Sequence, residues 1–186
     1  MTSMNSARLQ EAVLWASEIH FGQWRDGDAP LPYITHPLEV MGLLRNVGGI
    51  KEEDHLIAAA LHDVIEESDV TLQEIGLRFG VVVHDLVEEL TRSEPTEEET
   101  RGLSKEDVWT MRSNRLLAEI KEMSKEAQAI KLADRLSNIR SAHLSRTGAK
   151  LERYIDQTRK ILLVIRPKVN PKLWKAVEAE LPPIKS

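Results

Sequence analysis

The sequence contains no cysteine and no long apolar run. Disulfide bonds and thiolate metal sites are therefore excluded, and a cytoplasmic location is expected. Because no stretch approaches about 18 consecutive apolar residues, we expect no membrane span. The first 20 residues, MTSMNSARLQEAVLWASEIH, become amphipathic at once and lack a basic segment followed by an apolar one, so we also expect no export signal.

An excess of positive charge is missing as well. The 186 residues include 25 Lys and Arg against 30 Asp and Glu, which gives a formal net charge of −5. A general nucleic-acid binder normally needs a broad basic face, so we expect no nucleic-acid partner. A small anionic ligand stays compatible with this charge, since a few Lys and Arg beside a metal can hold a phosphate.

Strand-like alternation and Asn-Gly hairpin turns are also absent. Most segments instead have helical periodicity, and Thr71-x-x-Glu74 matches a capping box. We therefore predict an all-α fold, a helical bundle of about eight to ten helices, with residues 1–186 in a single domain. The longer helices are predicted over residues 7–20, 37–47, 53–67, 81–92, 105–123, 126–143 and 149–166, with an acidic loop over 93–103.

An adjacent His-Asp pair is the most informative feature that is present. His62 and Asp63 lie near the end of the apolar stretch LIAAALHDVIEES, and Glu66 follows within one helical turn. Burying these groups without partners would be costly, and a divalent cation would remove that cost. A polar helix end that faces water is the alternative, and it is the usual meaning of an isolated pair of this kind.

Two further candidate metal ligands lie elsewhere in the chain, His36 in PYITHP and Asp134 in IKLADRLSNIR. Taken singly, a His before proline more often neighbours a helix N-cap, and such an Asp is more often ion-paired at the surface. Together with the His-Asp pair they offer two imidazoles and two carboxylates. This mixed set suits Mn, Fe or Zn, and a metal that activates water would make the chain a candidate hydrolase.

Candidate ligand-binding residues accompany these positions. Arg25 lies in the loop before His36, where a guanidinium could pair with phosphate or stack on a base; a solvated loop charge is the alternative. Asn138 follows Asp134 by four residues and shares its helix face. Tyr33 could stack on a ligand or pack in the core.

The order of these motifs resembles that of a known family. HFGQWR (20–25) is followed by PYITHP (32–37), ALHDVIEES (60–68), FG (79–80), LVEELT (86–91) and IKLADRLSNIR (130–140). Over about residues 8–165 this order resembles the HD-superfamily hydrolase domain of the stringent-response alarmone enzymes. The length, with nothing left for a synthetase or regulatory domain, resembles the small alarmone hydrolases.

The resemblance implies a metal-dependent activity. One divalent ion, usually Mn²⁺, would be bound by His36, His62, Asp63 and Asp134. The 3′-pyrophosphate of ppGpp or pppGpp would be hydrolysed, which gives GDP or GTP plus pyrophosphate. By position, Glu66 and Glu67 match the acidic pair linked to water activation. Substrate contacts would come from Arg25, Lys131, Asn138, Lys150 and Tyr154.

The chain departs from the family pattern at three places. Arg25-Asp26 stands where the family often has Arg-Lys, and residues 28–31 lengthen the following loop. Both changes bear on which base is preferred. Glu66-Glu67 stands where Glu-Asp is usual, so the second carboxylate is one methylene longer.

Two other functions stay compatible with these residues. The first is another HD-type phosphohydrolase, which would act on a deoxynucleotide, an adenine alarmone or NADPH with the same metal site. The second is a non-catalytic protein that binds an alarmone or is stabilised by a metal. The sequence does not set the oligomeric state, and a homo-oligomer is compatible with it.

Overall fold

The fold is built from α-helices, as predicted. The computed structural model describes residues 7–25 and 30–183, in which the only strand-like pairing is an isolated antiparallel bridge between Trp24 and Pro32. Within these residues, nine helices of eight residues or more agree with the predicted eight to ten, and two further helices are single turns. The described helices are α1 (Ala7–Ile19), α2 (Thr35–Asn46), α3 (Glu53–Leu61), α4 (Val64–Glu67), α5 (Leu72–Phe79), α6 (Val81–Leu90), α7 (Glu97–Thr100), α8 (Lys105–Glu122), α9 (Lys125–Ser145), α10 (Gly148–Val164) and α11 (Pro171–Ala179).

Helix α9 is the centre of the packing. It contacts α2, α3, α6, α10 and α11, and most of its length is buried. Its buried positions include three charged side chains, Lys131, Asp134 and Arg135, among apolar neighbours. Buried charges are costly unless they are paired or hydrogen-bonded, so these three side chains need partners inside the fold.

Helix α3 forms the second buried element. All six residues from Leu56 to Leu61 are buried, and the helix contacts α1, α2, α6 and α9. A helix that is apolar around its whole circumference belongs inside a domain. The residues that follow its C-terminal end, His62 and Asp63, therefore lie in the interior beside α9.

The predicted helix over 53–67 is interrupted at His62 and Asp63. Helix α3 ends at Leu61 and α4 begins at Val64, with Asp63 at φ −102° and ψ −5°. The Nδ1 atom of His62 hydrogen-bonds to the carbonyl oxygen of Ala59 at 2.9 Å, which satisfies one of the carbonyls left over at the end of α3. Consecutive residues on a regular helix diverge by about 100°, so the break is what lets His62 and Asp63 face one point.

Local capping signals were reliable elsewhere. The capping box of Thr71 and Glu74 is present, and Asn170 caps α11 before Pro171 as expected. The predicted acidic loop over 93–103 contains one helical turn, α7, because Thr96 and Glu99 form a capping box of their own.

In the described part of the chain, no helix combines the length and the hydropathy needed to cross a bilayer. Asp26 and the first half of the lengthened loop, Asp28 and Ala29, lie outside the described residues.

Candidate active site

Four side chains from three parts of the chain converge at the proposed metal centre. His36 comes from α2, His62 and Asp63 come from the turn between α3 and α4, and Asp134 comes from α9. The Nε2 atom of His36 lies 3.3 Å from Asp134 Oδ1 and 3.5 Å from Asp63 Oδ2. The Nε2 atom of His62 lies 3.2 Å from Asp63 Oδ1 and 3.9 Å from Asp134 Oδ1. The four predicted ligands are thus brought together.

The hydrogen bond of His62 defines which of its nitrogens faces the site. Its Nδ1 pairs with the carbonyl oxygen of Ala59, and a carbonyl can only accept, so Nδ1 carries the proton. In the neutral ring Nε2 then presents a lone pair. This Nε2 is buried and has no hydrogen-bond partner in the described part of the chain.

A chain of two hydrogen bonds through Ser137 likewise defines which nitrogen of His36 faces the site. The Ser137 hydroxyl donates to Glu39 Oε2 at 2.7 Å, and a carboxylate can only accept. The hydroxyl oxygen must therefore accept from Nδ1 of His36, which lies 2.9 Å away. The neutral imidazole of His36 presents its Nε2 lone pair to the two aspartates. Ser137 is thus a supporting residue of the kind that orients a metal-binding imidazole.

Both aspartates are held as carboxylates. Burial alone would raise the pKa of Asp63, but the positive charge that the two imidazoles carry when protonated, together with the Tyr33 hydroxyl that donates to Asp63 Oδ2 at 2.7 Å, brings its pKa below the ordinary value. Burial likewise raises the pKa of Asp134, and Lys131 at 3.0 Å outweighs it together with the imidazoles, so that its pKa lies well below the ordinary value. A site with two ionised carboxylates is therefore expected at neutral pH.

This donor set fits a divalent cation. Two imidazole lone pairs face two carboxylates, an arrangement that repels unless protons or a cation lie between them. One ligand atom each from His36, His62 and Asp134 lie within 4.8 Å of one another, and the Asp63 oxygens adjoin both imidazoles. Mixed nitrogen and oxygen ligands suit Mn, Fe or Zn, whereas a thiolate-seeking ion has no ligand in this cysteine-free chain.

The two glutamates of the acidic pair have different environments. Glu66 accepts hydrogen bonds from the backbone N–H and from Nε of Arg92, at 2.9 and 2.8 Å, and also pairs with Nη2. Glu67 is exposed, and its carboxylate forms no hydrogen bond or ion pair with a described residue, although its backbone carbonyl accepts from Gln23. Of the two, only Glu67 has a carboxylate without a partner among the described residues.

Two adjoining cavities lead to the proposed metal centre. The inner cavity, of about 330 Å³, is bordered by Asp63 and Asp134. The outer cavity, of about 500 Å³, is bordered by Trp24 and Glu67. The walls of both include Tyr33, His36, Asn138, Arg146 and Tyr154. Their combined volume lies in the range of small-molecule sites.

Four of the five predicted substrate contacts lie at these cavities. Asn138 and Tyr154 line both, Arg25 lines the outer one, and Lys131 lines the inner one. Asn138 connects the two regions, because its Nδ2 donates to Asp134 Oδ1 and its Oδ1 accepts from Arg25 at 3.4 Å. Lys150 is exposed in the first turn of α10 and lines neither cavity.

The structure adds residues that the sequence pattern did not single out. Ser137 orients His36, Arg92 holds Glu66, and Arg135 and Arg146 line the cavities. Arg135 directly follows Asp134, so its position in that motif could have identified it from the sequence. Ser137 lies in the same motif, three residues after Asp134, whereas Arg92 and Arg146 carry no such signal because their roles depend on contacts between distant segments.

Fold and site together define an all-α protein with a two-histidine, two-carboxylate centre of the type that holds a divalent metal. The profile of the HD domain family matches residues 12–163. The chain therefore belongs to the HD domain family.

Relatives with assigned activities match most of this chain. The chain is 38% identical over 139 residues to the guanosine-3′,5′-bis(diphosphate) 3′-pyrophosphohydrolase MESH1 of Xenopus tropicalis, which covers 74% of this chain and 71% of that protein. The human MESH1 is 36% identical over 135 residues, which covers 73% of this chain and 69% of that one. The GTP pyrophosphokinase rsh of Brucella ovis is 32% identical over 96% of this chain, which corresponds to 25% of that longer protein.

Solved structures show the same architecture. A structure described as a metazoan ortholog of SpoT that hydrolyses ppGpp superposes with a TM-score of 0.80 at 27% identity, covering 94% of this chain and 93% of that chain. A protein of Listeria monocytogenes superposes with a TM-score of 0.59 at 25% identity, covering 83% of this chain and 94% of that chain.

Proposed function

We propose that this protein hydrolyses the 3′-pyrophosphate of guanosine alarmones, converting ppGpp or pppGpp into GDP or GTP plus pyrophosphate. The observation that carries the proposal is the convergence of His36, His62, Asp63 and Asp134 beside a cavity walled by cationic side chains. The similarity to proteins named as ppGpp 3′-pyrophosphohydrolases supports the choice of substrate.

The four ligands would hold one divalent ion, for which we propose Mn²⁺. When bound, such an ion supplies a Lewis acid that polarises a phosphoryl oxygen and lowers the pKa of water. The tautomers fixed by Ala59 and Ser137 keep both imidazoles ready to bind it without the loss of a proton. Tyr33 keeps the Asp63 carboxylate oriented toward the same point.

We assign the acidic pair to the attacking water, with different tasks. Glu67 would orient the water or accept its proton, because its carboxylate is free at the outer cavity. Glu66, paired with Arg92, would hold α4 in place beside the metal ligands. The water would attack the phosphorus bonded to the 3′ oxygen; that bond breaks, the 3′ oxygen takes a proton, and pyrophosphate leaves.

Substrate contacts are proposed along the two cavities. Arg25, Asn138 and Tyr154 would contact the nucleoside portion, since they border the larger outer cavity. Lys131 would offset phosphate charge near the metal, where it already lies 3.0 Å from Asp134. Lys150 was also predicted as a contact, and in the exposed first turn of α10 it could meet only a group that extends out of the cavities.

Other parts of the proposal rest on composition. We propose a single HD-type domain that works in the cytoplasm on a small nucleotide, without nucleic-acid partners, and that is compatible with a homo-oligomeric state. A cysteine-free, net acidic chain supports these assignments.

The direct test is to incubate ppGpp with the Mn²⁺-loaded protein and to resolve the products by ion-exchange chromatography, with ppApp and NADPH in parallel. GDP plus pyrophosphate is the expected result, and the Asp134→Asn variant should produce neither. Turnover of ppApp or NADPH without turnover of ppGpp would move the function to another nucleotide on the same centre. Tight ppGpp binding without any turnover would make the protein a sensor instead of an enzyme.

A further inference from the structure

The cationic side chains that line the two cavities differ in how their charge is compensated. Five of them line the walls: Arg25, Arg92, Lys131, Arg135 and Arg146. Three have a carboxylate partner within 4 Å, in the pairs Arg25–Glu39, Arg92–Glu66 and Lys131–Asp134. Arg135 and Arg146 form no salt bridge with any described residue. The positive charge available to an incoming ligand is therefore concentrated on these two arginines.

Arg135 is the more unusual of the two because it is buried. Only 5% of its surface is exposed, and its guanidinium donates to the neutral amide oxygen of Gln157. A buried charge without an opposite charge is costly to maintain, and natural proteins normally pair it. The missing negative charge at Arg135 therefore points to an anion that is supplied from outside the chain.

Both arginines meet at one aromatic ring. The guanidinium carbons of Arg135 and Arg146 lie 4.3 and 4.6 Å from the ring centroid of Tyr154. Because both distances are measured to the same centroid, the two guanidinium carbons lie within about 9 Å of each other, and the attraction of the ring does not remove the repulsion between their like charges. An anion bound by both guanidiniums would remove that repulsion.

We infer that Arg135 and Arg146, held by Tyr154, form an anion site for a phosphoryl group at the junction of the two cavities. The inference rests on the proposed function for the nature of the substrate and goes beyond it in naming the residues. Arg146 and Tyr154 line both cavities, and Arg135 lines the inner one, which also contains Asp63 and Asp134. A phosphoryl group at this junction would belong to the leaving pyrophosphate or to the 5′-diphosphate of the same nucleotide.

Arg146 and Lys150 differ in their position relative to the cavities, although the family resemblance selects Lys150 as the cation of this region. Arg146 is half-buried at the C-terminal end of α9 and borders both cavities, whereas Lys150 is exposed and borders neither. A guanidinium can hold a phosphate through two parallel hydrogen bonds while it stacks on a ring, which an ammonium does not do. Arg146 is thus the specificity-determining residue of this site.

The test measures binding of inorganic pyrophosphate to the full chain by calorimetry, with the metal bound and again after chelation. Arg146→Gln should weaken binding about tenfold to hundredfold, as expected for hydrogen bonds between charged groups, and Arg146→Lys should weaken it less. Arg166→Gln is the matched control, because Arg166 is exposed beyond the end of α10 and lines neither cavity. Circular dichroism of each variant checks that the fold is intact.

Two results would overturn the inference. One is an Arg146→Gln variant that binds pyrophosphate within twofold of the unmodified protein. The other is a Lys150→Gln variant that loses the binding instead. Neither readout needs ppGpp turnover, so the inference can fail while the proposed function stands, and the reverse also holds.

A second measurement separates the two sources of the phosphoryl group. The KM of Arg146→Gln is compared for guanosine 3′-diphosphates with and without a 5′-diphosphate. A rise in KM for both substrates assigns the site to the leaving pyrophosphate. A rise only for the substrate with the 5′-diphosphate assigns the site to that group, and no rise for either contradicts the inference.

Discussion

Arg92 holds the carboxylate of Glu66 through its backbone N–H and its guanidinium, although the two residues are 26 positions apart. The hydrogen bond to Glu66 raises the pKa of Arg92 above its ordinary value, so Arg92 keeps its positive charge beside this carboxylate. A carboxylate whose oxygens already accept several hydrogen bonds from a cation has few lone pairs left to orient a water molecule. We therefore propose a structural task for Glu66 and the reactive task for Glu67.

This division predicts unequal effects of two matched substitutions. Glu67→Gln should lower kcat by about 10²- to 10⁴-fold with metal binding retained, the range for loss of a general base. Glu66→Gln should lower kcat less and should also lower the Tm, because it weakens the ion pair with Arg92. Steady-state kinetics and calorimetric metal titration of both variants provide the check. Equal loss of kcat in both, with unchanged Tm, would contradict the division.

The metal centre predicts a stability increment that depends on metal concentration. Ligand binding to the folded state alone stabilises it by about 2.7 kcal/mol at 100 times the Kd, which corresponds to a rise of roughly 5–10 °C in Tm for a chain of this size. We expect Mn²⁺ to produce such a rise in the unmodified protein and to produce almost none in Asp134→Asn. The control is Glu178→Gln, which removes an exposed carboxylate of α11 that lines neither cavity. It should behave as the unmodified protein does. A similar rise in all three would mean that the ion binds elsewhere.

Much of the fold could be predicted because its signals are local. Capping residues such as Thr71 and Asn170 act within three positions of themselves, and the sequence displays them directly. The break after Leu61 could not be predicted, because apolar residues continue past it in VIEE. At the break, the His62 side chain bonds to the backbone of the preceding turn, a contact that the sequence pattern does not display.

The candidate site could be predicted in its proposed metal ligands and in four of the five substrate contacts, but not in its supporting groups. His, Asp and Glu in recognisable motifs identify themselves by chemistry, so the four residues that converge had been named as candidates. The supporting groups depend on tertiary contacts: Ser137 reaches His36 across 101 positions, and Arg146 borders the cavities only because α9 and α10 turn back on each other. The family resemblance selects Lys150 as a substrate contact by its position in the sequence, but the sequence does not show that this side chain is exposed outside the cavities.

The capping box before α5 gives a prediction on pH. Hydrogen bonds from the Thr71 backbone N–H and hydroxyl lower the pKa of Glu74 from its usual value near 4.5. A lowered pKa in the folded state adds stability above the ordinary pKa, and this is lost as the pH falls through the lowered value. The Tm difference between Glu74→Gln and the unmodified protein should therefore be larger at pH 7 than at pH 3. Glu88→Gln, an exposed site on α6, should show no such dependence.

The same motif can be tested from its other side. Thr71→Ala removes the hydroxyl that accepts from the Glu74 N–H, and loss of an N-cap typically costs about 1 kcal/mol, or roughly 2–4 °C in Tm for a chain of this size. Activity should be unchanged, since α5 lines neither cavity. Thermal denaturation together with turnover of ppGpp measures both quantities. A loss of turnover at unchanged Tm would mean that α5 communicates with the site.

The relay from Glu39 through Ser137 to His36 predicts that a buried hydroxyl sets metal affinity. Ser137→Ala removes the acceptor that fixes the His36 tautomer, and loss of such supporting groups typically weakens metal binding by about 10- to 100-fold. Ser137→Thr keeps a hydroxyl and should recover part of the affinity if the extra methyl is accommodated. Calorimetric titration with Mn²⁺ measures the Kd of each variant. Because Ser137 is buried, a small loss of stability alone is also expected; only a Kd that stays within twofold of the unmodified value, in a folded Ser137→Ala variant, would show that His36 is oriented by packing and not by this relay.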